Sequence, residues 1–194
     1  LIYYVNATGS VDSTYEFFAF ANKTSDMSVS NSTDKWNVTI TAQEVSTAYC
    51  SSCGECEQKI NESSPGDTIF LDSDITNHDG TCIQFNITKS NVTFDCQNHL
   101  IEGDGDTNGD GINLPDLNEN ITIKNCILKG FNYGILQMWG TDNTFKNITA
   151  ENNYEAGISL QSPTSSTTGN SLSNLTIVNN TLTGIHFREV SDST

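Results

Sequence analysis

Gly111-Ile112-Asn113-Leu114, Gly134-Ile135-Leu136-Gln137, Gly157-Ile158-Ser159-Leu160 and Gly184-Ile185-His186-Phe187 are four variants of one short phrase, and their spacing decides the fold. The Gly-Ile pairs recur at intervals of 23, 23 and 27 residues, a period that marks a stacked repeat. The long interval contains Ser162-Pro163-Thr164-Ser165-Ser166-Thr167-Thr168-Gly169, which reads as a loop insertion. Other apolar positions keep the same step. Ile123, Phe145 and Leu172 correspond, as do Cys126, Ile148 and Leu175, and then Leu128, Ala150 and Ile177. Inside each run apolar residues alternate with polar ones, the period of a strand.

A unit of about 23 residues, made of short strands with no helical stretch between them, fits one coil of a single-stranded parallel β-helix. Equivalent residues of successive coils then stack at roughly 4.8 Å, isoleucine on isoleucine. Leucine-rich repeats have a similar length but need a Leu-x-x-Leu-x-Leu framework that is missing here. Glycine before each inward Ile marks a corner where a Cβ would crowd the neighbouring coil or where positive φ is needed. Asn125, Asn152, Asn153, Asn179 and Asn180 fall between strand runs, where asparagine tolerates left-handed backbone and stacks on its counterpart.

The segments Asn91-Val92-Thr93-Phe94-Asp95-Cys96, His99-Leu100-Ile101-Glu102-Gly103, Gly111-Ile112 and Asn120-Ile121-Thr122-Ile123-Lys124-Asn125-Cys126 resemble the repeats of pectate-lyase-like proteins and of the periplasmic copper-loading family. Many archaeal surface proteins carry similar repeats. The resemblance covers about residues 60 to 190 and implies an all-β, right-handed parallel β-helix on an archaeal or bacterial cell surface. It also raises polysaccharide lyase or hydrolase activity. Lyases resembling the family take a proton with Arg or Lys, but the single arginine is Arg188 and the seven lysines form no cluster. The family's paired-Asp and Gly-His-Gly motifs have no counterpart, and His78, His99 and His186 are scattered singly, which argues against a copper site. No catalytic set can be assembled, so an enzyme ranks last among the expectations.

Two segments follow: residues 1–48, a β-strand arm or cap, and residues 49–194, the parallel β-helix. In the first, Tyr15-Glu16-Phe17-Phe18-Ala19-Phe20 and Trp36-Asn37-Val38-Thr39-Ile40 read as strands around a polar run. The last repeat lies within ten residues of Thr194, which leaves little chain for a cap. Uncovered strand edges recruit other chains, so the expectation is a neighbouring subunit that covers this one, head to tail, with its N-terminal strands, the alternative being a chain cut short of its own cap.

The formal charge is −16 with eight basic residues, which makes nucleic acid and anionic membranes poor partners. No run of eighteen apolar residues occurs, so no direct membrane span is expected. A start at Leu1 suits a processed, exported segment. Cys50, Cys53, Cys56, Cys82, Cys96 and Cys126 make an even set. The Cys50-x-x-Cys53-x-x-Cys56 cluster could hold zinc or an iron–sulfur cluster, but an exported chain defaults to disulfides, in one of 15 connectivities.

Eleven Asn-x-Ser/Thr sequons, at Asn6, Asn22, Asn31, Asn37, Asn61, Asn86, Asn91, Asn120, Asn147, Asn174 and Asn179, are about twice the number that random order would give. Alternation alone generates part of that excess, because it sets a polar pair around an inward aliphatic residue. Asp104, Asp106, Asn108 and Asp110 place oxygen side chains at alternate positions before a glycine, as in the first half of a calcium loop, and read either as candidate calcium ligands or as an acidic surface turn. Pro115 stands where the closing glutamate belongs. The leading expectation is an extracellular, N-glycosylated structural protein: a homopolymer subunit of a cell-surface filament or surface layer, joined through strand edges. An adhesin or glycan-binding module is the alternative, with Tyr133, Trp139 and Tyr154 as a candidate aromatic platform.

Overall fold

The computed structural model describes residues 9–23, 26–40, 42, 44–86, 88–115, 117–162 and 169–189. The chain divides into two units, Leu1–Glu44 and Val45–Thr194. In the first, β1 (Thr14–Phe17), β2 (Phe20–Lys23), β3 (Asp26–Ser32) and β4 (Trp36–Thr39) pair antiparallel, β1 with β4 and β2 with β3. The polar run between the two expected strands therefore has strand structure of its own. Tyr15 stands opposite Val38 and Phe17 opposite Trp36, which sets four large apolar side chains on one face. Trp36 is 54% and Val38 43% exposed.

The second unit opens with β5 (Thr47–Cys50) and a helix, α1 (Cys53–Glu62). Five turns of parallel β-helix follow. The first is β6 (Thr68–Leu71), β7 (Ile75–His78) and β8 (Ile83–Gln84); the second is β9 (Thr93–Asp95), β10 (Leu100–Gly103) and β11 (Asp110–Leu114). The rest are β12 (Thr122–Lys129) with β13 (Tyr133–Met138), β14 (Thr144–Glu151) with β15 (Ala156–Ser162), and β16 (Ser171–Val178) with β17 (Thr183–Glu189). Strands of successive turns pair in parallel, and β12 reaches across a corner to meet both β9 and β10. Thr68, Thr93, Thr122, Thr144 and Ser171 stand in register at intervals of 25, 29, 22 and 27 residues. The repeat near 23 is thus the shortest form of a turn whose corners take insertions.

Every apolar row read from the sequence is a stacked row. Ile83, Ile112, Ile135 and Ile158 lie over one another with no exposure, and Ile123 and Phe145 do the same on the neighbouring sheet. One row is broken by chemistry: Gln137 stacks between Leu114 and Leu160 at 0% exposure. Its amide donates to the Gly140 carbonyl at 2.9 Å and its Oε1 accepts from Asn143 at 3.0 Å, so the buried polar group is satisfied.

Backbone crowding explains the recurrent glycines. A Cβ on Gly134 would lie 2.5 Å from the Gly157 carbonyl oxygen of the next turn, and Gly134 is not among the positive-φ residues. Left-handed backbone is taken by asparagine instead: Asn91, Asn120, Asn125, Asn147, Asn152, Asn174 and Asn179 all have φ between 51° and 56°.

Helix α1 departs from the expectation of strands alone. Ser52 caps it, accepting the Glu55 N–H, while the Glu55 carboxylate accepts the N–H of Ser51 at 3.0 Å. Serine followed three residues later by glutamate is a capping-box signal. Cys53, Cys56 and Ile60 form its buried face. Three disulfides use all six cysteines: Cys50–Cys56 and Cys53–Cys82 fasten the helix, and Cys96–Cys126 links two adjacent turns.

Candidate functional site

Alternation sends the polar residues outward, and the corners gather them into ladders. Asn125 donates its amide to Asp95 Oδ1 at 2.8 Å, Asn147 to Asn125 at 2.8 Å, and Asn174 to Asn147 at 3.0 Å. At another corner Asn120 donates to Asn91 Oδ1 at 2.5 Å. Asn91, Asn120, Asn147 and Asn174 are sequon residues, and each is exposed. Their pattern has a local cause: a left-handed corner asparagine, an inward aliphatic residue, then an outward hydroxyl. Asn61, at the end of α1, donates to the Gln84 carbonyl at 3.1 Å and accepts the Asn86 N–H at 2.7 Å. Asn37, Asn86 and Asn179 are exposed. Asn22 and Asn31 lie in β2 and β3, and Asn6 falls outside the described residues.

The acidic loop comes together differently from its linear spacing. Asp104 and Asp106 meet Asp79 of the preceding turn, with carboxylate oxygens within 4.8 Å of one another. Asn108 donates its amide to Asp106 at 2.8 Å, so it presents nitrogen to that carboxylate. Asp110 goes elsewhere. It is 8% exposed, takes the Asn113 amide at 2.9 Å, and desolvation raises its pKa above the ordinary carboxylate value. Three of the four candidate ligands thus sit in one loop, and Asp79, which linear spacing did not single out, completes the carboxylate cluster.

The histidines are used one at a time. His99 Nδ1 pairs with Asp74 at 2.9 Å and His78 Nε2 contacts the Thr81 carbonyl at 3.2 Å. His186 Nδ1 lies 3.3 Å from the hydroxyl of Ser159, which also accepts from Gln161 at 3.0 Å. A serine bonded to a histidine is the beginning of a nucleophile. Ser159 is 0% exposed, however, so no substrate reaches its hydroxyl in this arrangement. The buried carboxylates are bonded as well: Asp67 accepts the N–H groups of Ser46 and Ser64, which lower its pKa, and Asp95 binds Gln97, Asn125 and Lys124. Tyr133 opens β13 and Trp139 follows its last residue; Tyr49 and Phe70 stack, with centroids 5.3 Å apart.

The family model for the right handed beta helix region matches residues 96–194. This chain belongs to the right-handed β-helix family. No curated protein and no solved structure matches it.

The right-handed β-helix begins earlier than the matched segment, because β6, β7 and β8 already form a turn in register with the second. Its two described ends differ. Helix α1 packs against β5, β6 and β8. At the other end β16 and β17 are the outermost strands of their sheets, and each pairs on one side among the described residues. Phe187 stacks in the row of Leu114 and Leu160, yet it is 63% exposed where they are 0% and 2%. Leu172, Leu175, Ile177 and Ile185 are half-buried where their counterparts are buried. No helix among the described residues is long and apolar enough to cross a membrane.

Proposed function

We propose that this right-handed β-helix protein is an extracellular, N-glycosylated structural protein, a subunit of a cell-surface filament or surface layer that assembles head to tail through strand edges. The observation that carries the reading is the outermost turn. Among the described residues β16 and β17 each pair on one side only, and the core rows beside them continue into partly exposed Leu172, Ile177, Ile185 and Phe187. An edge of that kind accepts another strand. The β1–β4 pair carries a second apolar face in the same chain, on which Tyr15, Trp36 and Val38 are exposed. Three disulfides suit an oxidising compartment, and a charge of −16 suits a soluble exterior. The sequons supply the attachment points for glycans.

Light scattering over a concentration series, with electron microscopy of the same samples, tests the assembly. Concentration-dependent growth into filaments or sheets is expected, and Phe187→Asp should abolish it while the circular dichroism spectrum stays unchanged. A strict monomer at millimolar concentration overturns the reading. A glycan-binding module is the second reading, favoured by the Tyr49–Phe70 stack with Tyr49 56% exposed. Saccharide binding lost on Tyr49→Ala would select it.

A further inference from the structure

The seven sequons of the second unit are unequal, and the inequality comes from the stacking of turns. Asn91 and Asn120 occupy equivalent corners of adjacent turns, since Thr93 and Thr122 two residues on stand side by side. Asn147 and Asn174 are equivalent in the same way, between the paired positions Lys146–Ser173 and Ile148–Leu175. The amide of one residue in each pair is bonded to the oxygen of the other, at 2.5 and 3.0 Å. Side chains in such a pair stand about one strand spacing apart, roughly 4.8 Å. A pyranose ring with its equatorial substituents is wider than that, and N-glycans are bulky beyond the first sugar.

We infer that in the folded protein each stacked pair is a single glycosylation site with two alternative attachment points: Asn91 or Asn120, and Asn147 or Asn174, while Asn61 carries no glycan. The inference rests on the proposed glycoprotein character. Attachment forms a bond from Asn Nδ2 to the anomeric carbon of a sugar. The bond from that carbon to a lipid-linked diphosphate breaks, the diphosphate leaves, and Nδ2 gives up one proton to a base of the transferase. One N–H remains, enough to keep the ladder bond, so one glycan per pair is tolerated. A second would have to occupy the same outward space. Asn61 differs because it is half-buried where the paired sequon asparagines are exposed, with its amide bonded to Gln84 and Asn86 and Lys89 on its backbone carbonyl at 3.0 Å. A sugar there has less outward room than on an exposed corner asparagine. Asn86 and Asn179, exposed and outside the ladders, take glycans independently of the pairs.

The basic residues divide the chain so that the counting is direct. After reduction, trypsin releases residues 60–89 with Asn61 and Asn86, residues 90–124 with Asn91 and Asn120, and residues 147–188 with Asn147, Asn174 and Asn179. Mass spectrometry of peptides from protein isolated in its folded state should show at most one, one and two glycans respectively. Thr122→Val removes the Asn120 sequon and leaves its amide in the ladder, so occupancy at Asn91 should rise to that of the whole pair. A doubly modified 90–124 peptide, a triply modified 147–188 peptide, or a glycan on Asn61 overturns the inference and leaves the glycoprotein reading standing. Bare peptides throughout overturn both.

Discussion

Asn147 donates its side-chain amide to Asn125 Oδ1 across one turn of the helix, at 2.8 Å. Both residues hold left-handed backbone, at φ 54° and 56°. Replacing Asn147 with Ala should lower stability by about 1 to 2 kcal/mol, from the lost ladder bonds and the strain of a left-handed alanine. Asn147→Gly, which keeps the backbone comfortable, should lose less. Urea titration of the two variants separates the contributions.

The isoleucine row predicts a gradient along the helix axis. Ile135 has neighbours on both sides and no exposure, whereas Ile185 is half-buried in the outermost turn. Ile135→Ala should lose about 2 to 5 kcal/mol. Ile185→Ala should lose clearly less in the monomer, and more once copies associate. Equal losses in dilute solution would contradict an open outer turn.

Gln137 is polar in an apolar row, yet Gln137→Leu should destabilise. The change strips the buried Asn143 amide of an acceptor, while the Gly140 carbonyl keeps the Asn170 amide as donor. Leaving a buried N–H unpaired costs about 1 to 3 kcal/mol, which outweighs the gain from a leucine where the space is already filled. Thermal unfolding at pH 7 is sufficient to see it.

The disulfides should rank by the chain they enclose. Cys96–Cys126 spans 30 residues and Cys50–Cys56 spans 6. Loop-closure entropy then assigns about 3.5 kcal/mol to the first and about 2 kcal/mol to the second. Paired alanine variants, compared by guanidinium titration under oxidising conditions, should keep that order.

Two aspartates pull stability in opposite directions with pH. Burial raises the pKa of Asp110, so its ionisation opposes folding: stability falls as pH rises from the ordinary aspartate value through the raised one. Asp110→Asn, which keeps an oxygen for the Asn113 amide, should therefore stabilise the protein at neutral pH and lose that advantage in acid. Asp67 behaves oppositely. The N–H groups of Ser46 and Ser64 lower its pKa, and the stability they confer is lost as pH falls through the folded value. Unfolding curves of Asp110→Asn and Asp67→Asn from pH 3 to pH 8 should diverge from the parent with opposite sign.

The rows of the β-helix were legible in the sequence by itself because each turn repeats the same problem. An inward residue must match the one a turn away, so Ile112, Ile135 and Ile158 return at a near-constant step, and with them the fold class and strand direction. What lies between the rows obeys no period. Helix α1 rested on a capping signal of two residues, Ser52 and Glu55, too local to stand out against the repeat. The pairing of Cys53 with Cys82, the meeting of Asp79 with Asp104, and the stacking of Asn91 on Asn120 depend on how many residues each corner consumes, 22 in one turn and 29 in another. Those lengths are settled by three-dimensional packing. Tertiary structure alone therefore decided which sequons are neighbours, which carboxylate is buried, and which turn shows its core side chains to solvent.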